Sequence, residues 1–279
     1  PSPHAQMLRH ALPRLPAALA LVISPRLVGH RATTAHLPRR LPSQPPGAWR
    51  KITAAARKQG AAAGAQQGAH PTRDGDGVDF TSIDELTASL KALTGDPLEV
   101  DGGNIVVYRG SPTAAVMLIG EAPGADEDLH GVPFVGRAGQ LLDKIFAAVT
   151  IDTNRLCYVT NVVKRRPANN RDPTAGEIEY YRGWLMEEIR LVNPAIIVLT
   201  GRHSMRTILG RTEGITKIRG TWHEVDGRHV MPIFHPSYLL RNPQRSPGSP
   251  KALTWDDVRE IKRKVDELGL YHSEVGPRG

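Results

Sequence analysis

Residues 116–142, with the sequence VMLIGEAPGADEDLHGVPFVGRAGQLL, decide the fold of this chain. The stretch begins with four apolar residues that stop at Gly120 and give way to a loop of Pro, Gly and carboxylates. This pattern is typical of a buried strand that opens into a loop. Further on, Leu142 and Phe146 mark one face of a helix. Because α/β sheets place their sites at the carboxyl ends of strands, Glu121 is a candidate site residue.

The rest of the chain repeats this alternation. Strands are predicted over 104–108, 115–119, 156–160, 195–199 and 230–234. Helices are predicted at capping boxes over 81–85 and 174–177, after Gly201, and at the end of the domain, where one face carries Trp255, Val258, Ile261, Val265 and Leu268. Strands that alternate with helices predict an α/β fold, a three-layer α/β/α sandwich around a central, mostly parallel sheet of roughly four strands.

The net charge of +8 is unevenly distributed along the 279 residues. The first 73 residues contain 11 Lys and Arg and no Asp or Glu, so the remaining 206 carry 25 basic side chains against 28 acidic ones. We interpret 1–78 as a disordered basic leader, 79–272 as the catalytic domain and 273–279 as a flexible tail. The leader would suit organelle import or a nonspecific phosphate contact. The default expectation is the bacterial cytoplasm, with the nucleoid.

A single cysteine, Cys157, excludes internal disulfides and a multi-thiolate metal site. A metal could be bound by the carboxylates of Asp126, Glu127 and Asp128. We interpret them instead as solvated loop acids and expect no metal. No run of residues approaches the roughly 20 apolar side chains of a membrane span. We therefore expect a soluble protein without a membrane partner.

Three polar side chains directly follow predicted strands: Glu121, Asn161 and His235. The carboxyl ends of neighbouring parallel strands converge, so we expect these residues in one crevice, with Phe134 on the loop above it. The set suits removal of uracil from DNA. That task requires an enzyme to flip the nucleotide, stack its flat ring, read its Watson–Crick edge and stabilise the departing base.

Three motifs carry a resemblance to a known family. GEAPGADEDLHGVPFVGRAGQLL, YVTNVVK and HPSYLLRNP, in this order, resemble the motifs of the family-4 uracil-DNA glycosylases. The likeness extends from about residue 93 to the closing helix. It implies an α/β/α sandwich, with a water-activating carboxylate at Glu121, a stacking ring at Phe134, uracil recognition at Asn161 and the second-motif histidine at His235. His235 would donate a hydrogen bond to O2 of the departing base.

The resemblance also implies contacts with DNA. Backbone amides near Pro123 and Gly124 would lie against the uracil or a phosphate, and the loop over 239–241 would enter the minor groove. The implied partner is uracil-containing single- or double-stranded DNA, bound by a monomer that leaves an abasic site. The predicted DNA-binding residues are Lys164, Arg165, Arg166, Ser237, Leu239, Leu240 and Arg241.

The chain departs from the family at four cysteines that hold an iron–sulfur cluster. Their positions align with Leu93, Asp96, Arg165 and Tyr181. A cluster needs several thiolates, so we predict no iron and no cofactor. Leu93, Tyr181 and Trp184 are expected to fill the vacated volume. The X-type relatives are trapped covalently through a histidine after Lys-Arg-Arg, where this chain has Pro167 and Ala168, so we expect no trapping.

Two alternatives stay open at this level. A nucleic-acid-binding relative could be catalytically silent or act on other deaminated bases, and a small-molecule α/β hydrolase could share the fold. The hydrolase lacks support because the chain has no Gly-x-Ser-x-Gly elbow and no evident partner for His203 and Ser204. Taken singly, each site residue has an ordinary structural explanation. The glycosylase hypothesis depends on finding them together.

Overall fold

The structure, a computed structural model, describes residues 80–271. The leader over 1–78 and the tail over 273–279 lie outside the described residues, so the expectations about them stay predictions. Within the described part, no helix has the length and apolarity needed to cross a membrane.

One sheet of six strands forms the centre of the described domain. The strands are β1 (Tyr108–Gly110), β2 (Val116–Gly120), β3 (Cys157–Asn161), β4 (Ile196–Thr200), β5 (His223–Val225) and β6 (Arg228–Ile233). Their order is β1-β3-β2-β4-β6-β5. The inner strands β3, β2, β4 and β6 are mutually parallel, and β1 and β5 pair antiparallel at the two edges. The mostly parallel sheet is confirmed, with six strands instead of roughly four. Of the two short edge strands, β1 corresponds to the strand predicted over 104–108, and β5 was not predicted.

Nine α-helices surround the sheet in the described range. They are α1 (Ile83–Lys91), α2 (Ala125–His130), α3 (Arg137–Ala147), α4 (Thr153–Leu156), α5 (Ala175–Val192), α6 (Arg202–Leu209), α7 (Ile215–Ile218), α8 (Pro236–Arg241) and α9 (Pro250–Glu267). Both predicted capping boxes form helix starts. In the second, Thr174 Oγ1 accepts from the Glu177 amide while the Glu177 carboxylate accepts from the Thr174 amide.

Two apolar cores lie on opposite faces of the sheet. Alternate strand side chains point to opposite faces. Accordingly, Met117 and Ile119 pack with α1 and α5, whereas Val116 and Leu118 pack with α3 and α9. This arrangement makes three layers, so the predicted α/β/α sandwich is confirmed.

The predicted first strand and the predicted closing-helix face both need correction. The first strand begins at Tyr108 rather than at residue 104, because the Asn104 amide donates to Asp128 and the Val106 amide donates to the Lys164 carbonyl instead of joining the sheet. On α9, Trp255 is 41% exposed. It lies about 120° around the helix from the buried Ile261, at the edge of the apolar face.

Candidate active site

The carboxyl ends of three parallel strands place the expected site residues at one edge of the sheet. Glu121 follows β2 and Asn161 ends β3, with Gly120 paired directly to Asn161 in the parallel register. His235 follows β6, which is separated from β2 only by β4. The strand order therefore brings these three residues to the same edge of the sheet.

Gly120 forms the floor beneath the amide of Asn161 and the ring of Phe134. A Cβ atom at Gly120 would lie 2.3 Å from Asn161 Oδ1 and 2.5 Å from Phe134 Cζ. Neither approach is sterically allowed, so this position needs glycine. The His235 ring completes the group, with its centroid 6.0 Å from that of Phe134 at an interplanar angle of 39°.

The backbone at Phe134 is held in an unusual conformation. Its φ of 57° lies in the left-handed region, which is costly for a residue with a side chain. Two neighbours fix it there. Gly139 of α3 packs so closely that a Cβ atom would lie 1.8 Å from the Phe134 carbonyl oxygen. Arg109, ion-paired with Asp143 at 2.5 Å, donates from Nε to the Pro133 carbonyl at 3.0 Å.

Asn161 carries a buried acceptor that has no hydrogen-bond donor among the described residues. The residue is 1% exposed, and within residues 80–271 no group donates a hydrogen bond to its Oδ1. Buried polar atoms without partners are rare in folded proteins and need an explanation. A flat ligand with an N–H donor, held beside Phe134, would supply the missing bond.

The hydrogen bonds around His235 determine where its proton lies. Nδ1 accepts from the Ser237 backbone amide at 3.2 Å and lies 2.8 Å from the Ser237 hydroxyl. A neutral imidazole therefore carries its hydrogen on Nε2. Burial lowers the pKa of His235 to about 4, with Arg241 and His203 acting in the same direction. The ring is thus a neutral hydrogen-bond donor near pH 7.

Glu121 lies in a group that sequence reasoning missed. Its Oε2 is 3.8 Å from Nε2 of His203, and that nitrogen is 3.7 Å from Oδ1 of Asp172. Burial, together with the nearby charge of Asp172 and against the opposing charge of Arg202, raises the pKa of Glu121 to about 7. His203 lies shortly after the carboxyl end of β4, the parallel strand between β2 and β6. The rule that sites lie at the ends of parallel strands could have identified it.

The same three residues are a candidate metal-binding group. The ligand atoms of Glu121, Asp172 and His203 all lie within 4.8 Å of one another. However, Arg202 forms an ion pair with Asp172 and donates from Nε to the His203 Nε2 at 3.1 Å. A guanidinium therefore already supplies positive charge here and occupies the lone pair that a metal would need.

Comparison with known proteins agrees with this geometry. The model of the uracil DNA glycosylase superfamily matches residues 107–259, which is more than half of the chain. This chain belongs to the uracil-DNA glycosylase superfamily. It is 41% identical over 188 residues to a type-4 uracil-DNA glycosylase of Thermotoga maritima, covering 66% of this chain and 95% of the relative. A type-4 enzyme of Archaeoglobus fulgidus is 35% identical over 171 residues, covering 58% of this chain and 85% of the relative. The family-4 resemblance and the assignment to the glycosylases, a class of hydrolases, are thereby confirmed.

Two of the basic residues expected to bind DNA lie inside the glycosylase. Lys164 is fully buried, with its ammonium 2.5 Å from Glu188 and 2.8 Å from the Asn161 carbonyl oxygen. Arg165 donates to the Asp96 carboxylate and to two backbone carbonyls. Both side chains are engaged by partners within the described residues, so a contact with phosphate would require these bonds to break. The DNA-binding role of the two residues stays a prediction. Lys164 donates a hydrogen bond to the backbone carbonyl of Asn161 and so helps to hold that residue in place.

The loop after His235 also differs from expectation. Leu239 is only 1% exposed and packs inside, whereas Tyr238 and Leu240 are 38% and 37% exposed. A six-residue helix, α8, turns Leu239 inward. The glycosylase therefore offers Tyr238, Leu240 and the exposed Arg241 at this surface, while the Ser237 hydroxyl is engaged by the His235 ring.

The acidic residues 126–128, expected in a loop, lie on α2, and Glu127 has a structural role there. Its carboxylate accepts from the Gly124 amide at 3.0 Å and from the Gly136 amide at 2.9 Å, which links the starts of α2 and α3. The Gly124 amide is therefore engaged, and Pro123 has no N–H to offer. A contact of these two residues with the base or a phosphate stays a prediction, and the Gly124 amide could take part in it only by giving up its bond to Glu127.

The residues of this glycosylase do not fit an iron–sulfur cluster. None of Leu93, Asp96, Arg165 and Tyr181 offers a thiolate. Cys157 is buried in the core on the opposite face of the sheet from Leu93 and Tyr181. Burial raises the pKa of its thiol to about 12, which keeps it protonated and unreactive.

Proposed function

We propose that this chain is a monofunctional uracil-DNA glycosylase, which flips uracil out of DNA and hydrolyses its N-glycosidic bond to leave an abasic site. The observation that carries the proposal is the buried Asn161 amide, whose Oδ1 accepts no hydrogen bond within the described range. It lies beside the buried ring of Phe134, whose centroid is 6.0 Å from that of the neutral His235 ring.

Recognition of uracil follows from the amide's hydrogen-bonding groups. Asn161 Nδ2 donates to O4 and Oδ1 accepts from N3–H, while Phe134 stacks on the pyrimidine face. Cytosine presents a donor at C4 and an acceptor at N3. It would leave buried polar groups opposed and unpaired, which is a strong form of discrimination.

Departure of the base is assisted by His235. As the bond from C1′ to N1 breaks, its electron pair passes to the uracil ring and negative charge builds on O2. The neutral imidazole donates from Nε2 to this oxygen without itself losing a proton. Removal of such a preorganised donor typically costs about 3 kcal/mol in transition-state stabilisation.

Glu121 supplies the base that positions the attacking water. In its ionised form the carboxylate accepts a proton as the water oxygen bonds to C1′, and it offsets the cationic character of the sugar. The raised pKa leaves it a better base than an ordinary carboxylate while a substantial fraction is still ionised at neutral pH. The negative charge of Asp172 contributes to the raised pKa of Glu121.

The rate of uracil release should therefore depend on pH through Glu121. Only the ionised form is active, so the single-turnover rate is expected to rise as pH increases through about 7 and to level off above it. The variant Asp172→Asn removes a charge that raises this pKa, so its profile should shift to lower pH. His235 titrates near 4 and does not contribute in this range. A flat profile from pH 6 to 8, or one unmoved by Asp172→Asn, would contradict this assignment; single-turnover rates across that range decide it.

We propose that DNA is held at the surface beside His235 and along the loop after β3. Arg241 is exposed next to the site, and the Arg166 side chain is 29% exposed. The exposed apolar side chains of Tyr238 and Leu240 are suited to fill the space left by a flipped base.

Replacement of Arg241 by alanine should weaken DNA binding and reduce the magnitude of its salt dependence by about one ion. The matched control is Arg211→Ala, which removes the same charge at the far end of α6, away from the carboxyl edge of the sheet. Affinities measured by fluorescence anisotropy at several salt concentrations give both quantities. Equal affinities and slopes for the two variants would remove Arg241 from the DNA surface.

We further propose that the enzyme works as a monomer, without an iron–sulfur cluster, in the compartment that holds the DNA, with the bacterial cytoplasm as the default. The support for the cluster's absence is the missing thiolate set. Metal analysis of the purified protein tests it, and a stoichiometric iron content would contradict it.

The proposed activity is tested with oligonucleotides that contain one uracil. Strand cleavage is expected only after alkali treatment, because a monofunctional enzyme leaves the abasic strand intact. The cleavage should persist in EDTA and should be at least about a hundredfold slower in Glu121→Ala and Asn161→Ala. DNA binding without release of any deaminated base would favour the catalytically silent relative instead.

A further inference from the structure

The four positions that align with the family's cysteines meet in the structure, although none of them is a cysteine. Arg165 Nε donates to Asp96 Oδ2 at 2.7 Å, and the Tyr181 hydroxyl donates to Asp96 Oδ1 at 2.5 Å. The fourth position is included through its backbone, since Arg165 Nη2 donates to the Leu93 carbonyl at 3.1 Å. A polar group therefore occupies the place where thiolates would converge.

The hydrogen bonds of this group are complete. Asp96 Oδ1 also accepts from the Leu98 amide at 3.1 Å, and Arg165 Nη1 donates to the Gly103 carbonyl at 2.5 Å. The side chains of Asp96 and Arg165 are 0% and 12% exposed, so their ion pair is largely shielded from water. Burial raises the pKa of Tyr181, and the hydrogen bond to Asp96 raises it further, so the phenol stays protonated and donates.

Three distant segments of the chain are joined at this point. Asp96 lies on the segment between α1 and β1, Arg165 on the loop after β3, and Tyr181 on α5. The partners are 69 and 85 residues apart in sequence. The loop that carries Arg165 follows directly after Asn161, the last residue of β3. The bonds of Arg165 therefore also hold the backbone that leads away from the recognition amide.

We propose that Asp96, Arg165 and Tyr181 form a metal-independent clasp that replaces the iron–sulfur cluster as the structural link among these three segments. The clasp performs by hydrogen bonds what a cluster would perform by four iron–thiolate bonds. The proposal concerns stability and does not depend on the proposed activity, so the two can fail separately.

The first test is the melting temperature of single variants. Asp96→Ala and Arg165→Ala each leave a buried partner uncompensated, and each should lower the melting temperature by about 6–12 °C. Tyr181→Phe removes one hydroxyl and should cause a smaller decrease. The matched control is Arg166→Ala, the neighbouring and more exposed arginine. The double variant Asp96→Ala/Arg165→Ala should be less destabilised than the sum of the two single variants.

The second test restores the family's ligands. The variant Leu93→Cys/Asp96→Cys/Arg165→Cys/Tyr181→Cys, reconstituted with ferrous iron and sulfide under anaerobic conditions, should acquire visible absorbance and about four iron atoms per chain. Wild type treated in the same way should acquire none.

The proposal is overturned if Asp96→Ala and Arg165→Ala lower the melting temperature no more than Arg166→Ala does. It is also overturned if the four-cysteine variant folds, as judged by circular dichroism, but binds no iron. If that variant does not fold, the melting temperatures of the single variants decide.

Discussion

Replacing Glu121 by glutamine is expected to lower the single-turnover rate of uracil release by about 10²- to 10⁴-fold, the usual contribution of a positioned base. Glutamine keeps the volume and can still hold a water, but it cannot accept the proton from that water. The loss should therefore appear in the rate constant at saturating enzyme and not in DNA affinity. Rapid quenching of a uracil-containing duplex with excess enzyme measures it.

The control for this prediction is Glu224→Gln, on the edge strand β5, which removes one carboxylate at an exposed position outside the site. Its rate should equal that of wild type. A decrease of less than about threefold for Glu121→Gln would remove this residue from the chemistry, because general-base contributions are far larger.

Replacing Asn161 by alanine is expected to reduce uracil release by about 10²- to 10³-fold through the loss of two buried hydrogen bonds to the base. The fold should be little affected, since within the described residues Asn161 Oδ1 accepts no hydrogen bond. For this variant the activity should therefore fall while the melting temperature stays close to that of wild type. Both would fall together if Asn161 were only structural.

A second substitution at this position tests the recognition pattern itself. Asn161→Asp removes the donor to O4 and places a charged acceptor beside it, so uracil release should fall at least as far as in Asn161→Ala. Free uracil should also become a weaker competitive inhibitor of this variant, because it binds through the same amide. Retention of uracil release within about tenfold of wild type would show that the amide does not read the base edge.

Sequence patterning was sufficient for the layers of the fold and for placing Glu121, Asn161 and His235 at one edge of the sheet. Glu121 and Asn161 each follow a run of buried apolar residues, and parallel strands bring such ends together. The role of Gly120 beside these residues was not evident from the sequence, because a glycine after an apolar strand also fits an ordinary turn. Only the structure shows that a Cβ atom at this position would come too close to Asn161 and Phe134.

The basic loop after β3 has contacts that sequence reasoning does not reveal. Lys164 and Arg165 look like phosphate ligands because charged residues in a loop are usually solvated. Their partners are Glu188 and Asp96, which lie 24 and 69 residues away, and no local pattern indicates either pairing. The direction of Leu239 was equally hidden, because a helix of six residues is too short to show a period.

A crystal structure of Glu121→Gln bound to a duplex with a single uracil tests most directly whether Glu121, Phe134, Asn161 and His235 form one uracil pocket. We expect the uracil outside the helix and against the Phe134 ring. Its O4 and N3 should lie about 3 Å from the Asn161 amide, with O2 at a similar distance from His235 Nε2. A uracil that stays stacked in the duplex, or that binds elsewhere with the Asn161 amide still unpaired, would contradict the account.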